Sequence, residues 1–212
     1  MRSGRLISTV MVAGLVVAGL AYVFLSGGRT VSGFDVASLP GHGSADAPVT
    51  VVVVEDFRCA SCQTFHTDVV AELLRGHVAA GRVQLRFAVL PAVRKDSLDL
   101  ATLALLYSRY HGLPFATVSA RLFEADSPRI DLARADLVLA EQFGPIDPGR
   151  RPALEVAART HLKEGGRYLV GRDVDRVPSV LVGEVLLFAP GRDIVFREIE
   201  RALAQATGDA EQ

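Results

Sequence analysis

Positions Val49 to Val54 hold six β-branched residues without a break. A run of this kind offers no polar face to solvent, so it predicts a strand buried on both sides. The rest of the globular part has to be built around that strand.

On its C-terminal side the pattern changes period. From Cys59 onward Phe65, Val69, Val70, Leu73, Leu74 and Val78 fall on one side of a helix, which Gly81 stops. Val83, Leu85, Phe87 and Val89 then alternate with Arg82, Gln84 and Arg86, which predicts a second strand. From Asp96 to about Gly166 the periodicity is helical throughout. Asp96 and Asp99 suit the start of a helix over Leu98–Tyr110, and Gly112 suits its end. Pro114 and Asp131 open two more helices and Pro152 a fourth, with Gly165-Gly166 read as a helix terminator. Ser179–Val182 and Val185–Phe188 flank Gly183-Glu184, a pair suited to a type II′ hairpin. Asp193 begins a last amphipathic helix carrying Val195, Ile199, Ala202, Leu203 and Ala206 on one face.

Composition narrows the function classes. The 212 residues are 50% hydrophobic and 22% charged, with a net charge of −1, so the chain can bury a core and carries no basic footprint for nucleic acid. There is no tryptophan, and both methionines, Met1 and Met11, lie at the N-terminus, which removes thioether metal ligands from the globular part. Only Cys59 and Cys62 are present, so a disulfide-stapled scaffold is excluded.

Arg2 and Arg5 precede an uncharged run from Leu6 to Leu25. At about 1.5 Å per residue this run spans a hydrocarbon core of roughly 30 Å, and it is read as an uncleaved transmembrane anchor. The competing reading is a cleaved signal peptide with a small-x-small site at Gly19-Leu20-Ala21. Either way the arginines stay inside and the part after Ser26 is exported, into a compartment that permits disulfides. The expected location is the cell membrane, single-pass, with a cytoplasmic N-terminus and an extracytoplasmic domain. Residues 27–47, rich in Gly, Ser, Ala and Pro, read as a linker with a short strand at Thr30–Ala37.

The chemistry sits at Cys59-Ala60-Ser61-Cys62, which opens a helix directly after the buried strand. A first cysteine at that place meets free backbone N–H groups and the helix dipole, which stabilise an anion. Its thiol pKa can fall from about 8.5 to between ~3.5 and ~7.5, making it a good leaving group in thiol–disulfide exchange. Cys62, one turn inside, is then the shielded resolving thiol. The structural alternatives are two inert core thiols or half of a zinc site, for which His66 is the only further ligand close in sequence. No metal is assigned.

A βαβ unit followed by a ββα unit resembles the thioredoxin fold. The connection between the halves, about 91–176, is too long for one crossover helix and must form an extra helical lobe. The chain also resembles the DsbA-like thiol–disulfide oxidoreductases. The resemblance is carried by Ser44-Ala45-Asp46-Ala47-Pro48-Val49-Thr50, by Asp56-Phe57-Arg58-Cys59-Ala60-Ser61-Cys62 with Phe65-His66, and by Val177-Pro178-Ser179 before the Gly183 turn. It implies an α/β, thioredoxin-like fold with an inserted helical lobe, here preceded by an N-terminal transmembrane helix. The boundaries are 1–26 for the cytoplasmic tip and anchor, 27–47 for the linker, 48–90 and 177–207 for the core, and 91–176 for the lobe.

The resemblance further implies that Cys59 and Cys62 are catalytic and that Val177-Pro178 is a cis peptide beside the sulfurs that binds substrate backbone. Read without the family, Pro178 is an ordinary trans residue at a strand start. Two departures stand out. The motif interior is Ala60-Ser61, where many members have proline followed by histidine or an aromatic residue. The buried glutamate that members place six residues before the first cysteine is here Val53, leaving Glu55 and Asp56 as candidates for proton transfer. Each also reads as a strand-end or turn residue. Arg58 is a candidate for holding the thiolate by charge or an exposed strand-end residue, and His66 reads as a solvated surface histidine.

The function implied is exchange of the Cys59–Cys62 disulfide with the thiols of exported proteins, as an oxidase, without a cofactor and with a quinone-linked or similar membrane partner as reoxidant. The alternatives are a reductase or isomerase fed by a membrane electron donor, and a non-enzymatic redox-sensing or metal-binding module.

Overall fold

The computed structural model describes residues 35–209, so the anchor expected at Leu6–Leu25 lies outside the described residues. Among the described residues no helix is long and apolar enough to cross a membrane.

The strand run forms β2 (Val49–Glu55). It lies in a sheet with β1 (Gly41–His42), β3 (Val83–Val89), β4 (Ser179–Val182) and β5 (Val185–Phe188), in the order β1-β3-β2-β4-β5. β2 runs parallel to β3, with Val49 opposite Val83 and Glu55 opposite Val89. It runs antiparallel to β4, with Val54 opposite Ser179. Successive side chains of a strand point to opposite faces. Val51 and Val53 accordingly enter one core with Cys62, Phe65 and Leu73 and with Val195 and Ile199 of the last helix. Val52 and Val54 enter a second core with Leu181, Tyr168, Leu169 and Val174. Burial on both faces is why the strand tolerates no polar alternation.

Helix α1 occupies residues 60–78. It begins as the α-helix Ala60–Phe65 and continues through wider turns at His66–Val70 and Leu74–Val78. The crossover from β3 to β4 holds four helices: α2 (Ser97–His111), α3 (Phe115–Glu124), α4 (Leu132–Phe143) and α5 (Arg151–Val170). Gly112 closes α2 in the left-handed conformation, φ 64°, and the Asp131 carboxylate caps α4 by accepting the Arg134 N–H at 2.7 Å. Gly183 turns the β4–β5 hairpin with φ 56°. Helix α6 (Arg192–Asp209) returns along the sheet.

Two expectations are corrected here. Gly165-Gly166 does not terminate α5, which runs on to Val170. Gly165 is buried on the stripe that also carries Ala158, Leu162 and Leu169, and packing along this face outweighs the glycines' poor helix propensity. The linker expected over 27–47 is part of the fold from about residue 36. Val36–Ser38 is a 3-10 turn rather than a strand, Leu39 is buried, and β1 pairs with β3. The Arg86 guanidinium fixes this segment by donating to the carbonyls of Ala37 and Leu39 at 2.9 and 2.8 Å. It lies so close to Gly41 that a Cβ there would meet Arg86 Nη1 at 2.7 Å. Gly41 is a close-approach residue, not linker filler.

Candidate active site

Cys59 stands at the N-cap of α1, where unpaired N–H groups point toward its sulfur. The Cys62 N–H donates to Cys59 Sγ at 3.3 Å, and Ser61 Oγ lies 3.0 Å from the same atom. Both cysteines are free thiols, Cys59 8% exposed and Cys62 fully buried. The hydrogen bond from the Cys62 thiol lowers the Cys59 pKa most; burial opposes it, and the Ser61 hydroxyl and the N–H groups of Cys62 and Ser61 add to the lowering. The result is about 6, against 9.0 for an unperturbed thiol. Cys62 moves the other way. Its own bond to Cys59, its burial and the charges of Cys59 and Glu55 all push it up, so it stays a thiol at any ordinary pH.

The sign of the pH dependence follows. Cys59 has a lowered pKa in the folded dithiol, so its contribution to stability is complete above about pH 9 and is lost as pH falls through about 6. Thiolate absorbance of the reduced protein is expected to titrate with a midpoint near 6. Ser61→Ala should raise that midpoint by roughly half a unit to one unit, the worth of one hydroxyl hydrogen bond. A midpoint unchanged in the variant would show that the hydroxyl does not serve the thiolate.

The candidate tuning residues separate on inspection. Ala60 is exposed and contributes no side-chain bond to the thiolate. Asp56 is buried as a turn-former, its carboxylate accepting the N–H groups of Arg58, Ala92 and Val93 at 2.8, 2.9 and 2.9 Å. Arg58 is neither exposed nor turned to the sulfur. At 3% exposure it donates to the carbonyls of Ser127 and Ile130 and to the Asp96 carboxylate, tying the inserted helices to the motif loop.

His66 is the larger correction. It is 2% exposed, not solvated, with its ring 4.9 Å from that of Phe123 and 6.3 Å from that of Phe87. Helix α3 covers the side of α1 that the apolar pattern left open. Glu55, 5% exposed, is its partner, the two carboxylate oxygens lying 3.1 and 3.0 Å from His66 Nδ1. A usable signal was present: His66 lies four residues after Cys62, hence on the same stripe as a residue expected inside. Among the described residues no three His, Cys, Asp or Glu side chains gather as a metal-ligand set.

Val177-Pro178 is a cis peptide, and Pro178 is buried. Ser179 pairs with Val54, so Val177 and Pro178 lie at the end of β2 from which the chain leads to Cys59. The Pro178 carbonyl accepts from the Ala189 N–H at 2.8 Å, while among the described residues no backbone hydrogen bond engages Val177. Sequence reasoning missed three supports of the motif. Gln63 Nε2 donates to the Phe123 carbonyl at 2.6 Å, Ser127 Oγ donates to the Phe57 carbonyl at 2.9 Å, and the Phe57 and Phe123 rings pack 5.1 Å apart.

A family model described as thioredoxin matches residues 39–188. Over 62 residues the chain is 42% identical to the probable disulfide bond formation protein D of Bacillus cereus, a stretch of 29% of this chain and 28% of that one. The chain thus spans little more than a quarter of the length of the curated relatives it matches. Among solved structures, oxidised BdbD from Bacillus subtilis is similar with a TM-score of 0.65 at 22% identity, covering 80% of this chain and 95% of that one. The α-DsbA1 of Wolbachia pipientis is similar with a TM-score of 0.69 at 12% identity, covering 81% and 94%. At these identities the structures speak for the fold.

Proposed function

We propose that this chain, which belongs to the thioredoxin family, is a DsbA-like member that oxidises the thiols of exported proteins by passing on a Cys59–Cys62 disulfide. The observation that carries this reading is the pairing of an N-capping Cys59 thiol, lowered to about 6, with a fully buried Cys62 held up as a thiol. A substrate thiolate attacks Cys59 Sγ, the bond to Cys62 breaks, and Cys62 leaves as a thiolate that takes up a proton. A second substrate thiolate then attacks the mixed disulfide, and Cys59 leaves readily because its thiolate is stabilised. The substrate gains a disulfide, and the enzyme is left as the dithiol. Glu55 supplies the proton-transfer group for Cys62, and Val177, whose backbone makes no hydrogen bond among the described residues, binds the substrate strand next to Pro178. The dithiol needs a reoxidant, for which a quinone-linked membrane protein is the class proposed.

The direct test is catalysis. Purified protein should accelerate the oxidation of a reduced two-cysteine peptide by glutathione disulfide. Acceleration of disulfide reduction with none of oxidation would replace this reading with the reductase one.

Membrane anchorage is proposed on Arg2, Arg5 and the uncharged Leu6–Leu25 run. The full-length protein is expected in the membrane fraction, with Cys59 open to an impermeant thiol reagent added from outside. Recovery as a soluble exported protein starting near Tyr22 would show a cleaved signal instead.

A further inference from the structure

Glu55 and His66 form a buried carboxylate–imidazole pair whose partners are each other. As mere glue such a pair is a poor choice, because apolar residues of similar volume commonly stabilise as well or better. Its placement is specific. Strand alternation puts Glu55 on the face of β2 that carries Val51 and Val53, and these pack in one core with Cys62. Cys62 and His66 are one helical turn apart and so share a face, the His66 N–H donating to the Cys62 carbonyl. The imidazole is thus held by Glu55 from β2 and flanked by the rings of Phe87 from β3 and Phe123 from α3, with Cys62 one turn before it on its own helix. The charges that follow Glu55 in the chain are turned elsewhere, Asp56 to the amides of Ala92 and Val93 and Arg58 to the inserted helices. Among the described residues His66 Nε2, itself buried, has no hydrogen-bond partner, so Glu55 is the one polar contact among them that holds the ring.

We propose that His66 is the positioning residue of proton transfer at the inner thiol, holding the Glu55 carboxylate at Cys62 and sharing the proton that the carboxylate receives. This rests on the cysteine roles proposed above. When the dithiol is oxidised, the Cys62 proton passes to the Glu55–His66 pair and the Cys62 thiolate attacks Cys59 Sγ of the mixed disulfide. The Cys59–Cys62 bond forms, the Cys59–partner bond breaks, and the partner leaves as a thiolate carrying the electron pair. In the reverse direction the pair returns the proton to Cys62.

The test is a two-step titration of the reduced full-length protein with the chromogenic disulfide dithiobis-nitrobenzoate. Attack by Cys59 releases the first coloured thiolate and attack by Cys62 releases the second. In His66→Gln, which can bond Glu55 but cannot share its proton, the first release should keep its rate. The second should slow roughly tenfold to a hundredfold near neutral pH, within what a positioned proton acceptor supplies. That deficit should shrink as pH rises and hydroxide takes over the proton, and adding His66→Gln to Glu55→Gln should cost nothing further. His66→Asn serves as a second variant of the same site. A second release at the parental rate in either folded variant overturns the proposal, as does slowing by one factor at every pH or of both steps together. A parent protein that releases only one thiolate would refute the dithiol reading instead.

Discussion

Cys62→Ala should collect substrates as covalent adducts at Cys59, and Cys59→Ala should collect none. The difference follows from where α1 places the two sulfurs. Cys59 occupies the N-cap, receives the Ser61 hydroxyl and the Cys62 N–H, and retains a little exposure. Cys62 is sealed in the core with Phe65 and Val53 and is held as a thiol by its burial and its neighbours. Both variants should lose oxidase turnover by at least about a thousandfold, since neither can hold the intramolecular disulfide. Only Cys62→Ala leaves a nucleophile, and its mixed disulfides persist until reductant is added because the resolving thiol is gone. The Cys62 thiol is also the strongest stabiliser of the Cys59 thiolate, so adducts in Cys62→Ala should form more slowly near pH 6 than near pH 8. Non-reducing gels and mass spectrometry of trapped species check this. Equal trapping by both variants would reverse the assignment of nucleophile and resolver.

Arg58→Ala should be strongly destabilising while leaving both sulfurs in place. The guanidinium is buried and bonds two main-chain carbonyls, Ser127 and Ile130, as well as the Asp96 carboxylate at 2.6 Å. Hydrogen bonds from a charged group to buried partners contribute about 1.5–3 kcal/mol each. Asp96 is partly open to solvent and can rehydrate, so the expected loss is roughly 3 kcal/mol rather than the sum. Because the same contacts join the motif loop to the segment between α3 and α4, amide exchange should accelerate around residues 127–130. Arg58→Lys should recover little, since an ammonium cannot reproduce the planar fork. Thermal unfolding and hydrogen exchange read both effects, and a variant as stable as the parent would mean that the inserted helices are held by packing alone.

These two outcomes also mark where sequence reading succeeded and where it stopped. The double burial of β2, the helix start at Cys59 and the Gly183 hairpin were legible because local patterns dictate them: an unbroken β-branched run, a period change, a glycine where φ must be positive. His66 and Arg58 were misread because their surroundings come from far along the chain. Phe123 closes over His66, and Ser127 and Ile130 receive Arg58, across about sixty to seventy positions that no local pattern links. The same holds for Gly165-Gly166, whose helix is sustained by the sheet beneath it, and for β1, whose two residues are too few to show alternation and are recruited by Arg86. The cis state of Val177-Pro178 followed from the family resemblance and not from the residues themselves.

The proposed direction of electron flow turns on one quantity, the reduction potential of the Cys59–Cys62 couple. A stabilised Cys59 thiolate favours the dithiol and so makes the disulfide oxidising. A thiolate lowered only to about 6, with Ala60-Ser61 between the cysteines, stops short of the extreme. Equilibration with glutathione buffers, read by trapping the free thiols, should therefore give a potential between about −230 and −120 mV, above thioredoxin and at or below the strongest oxidant of this class. A value near −270 mV or lower would make Cys59–Cys62 a reductant's dithiol and contradict the oxidase reading.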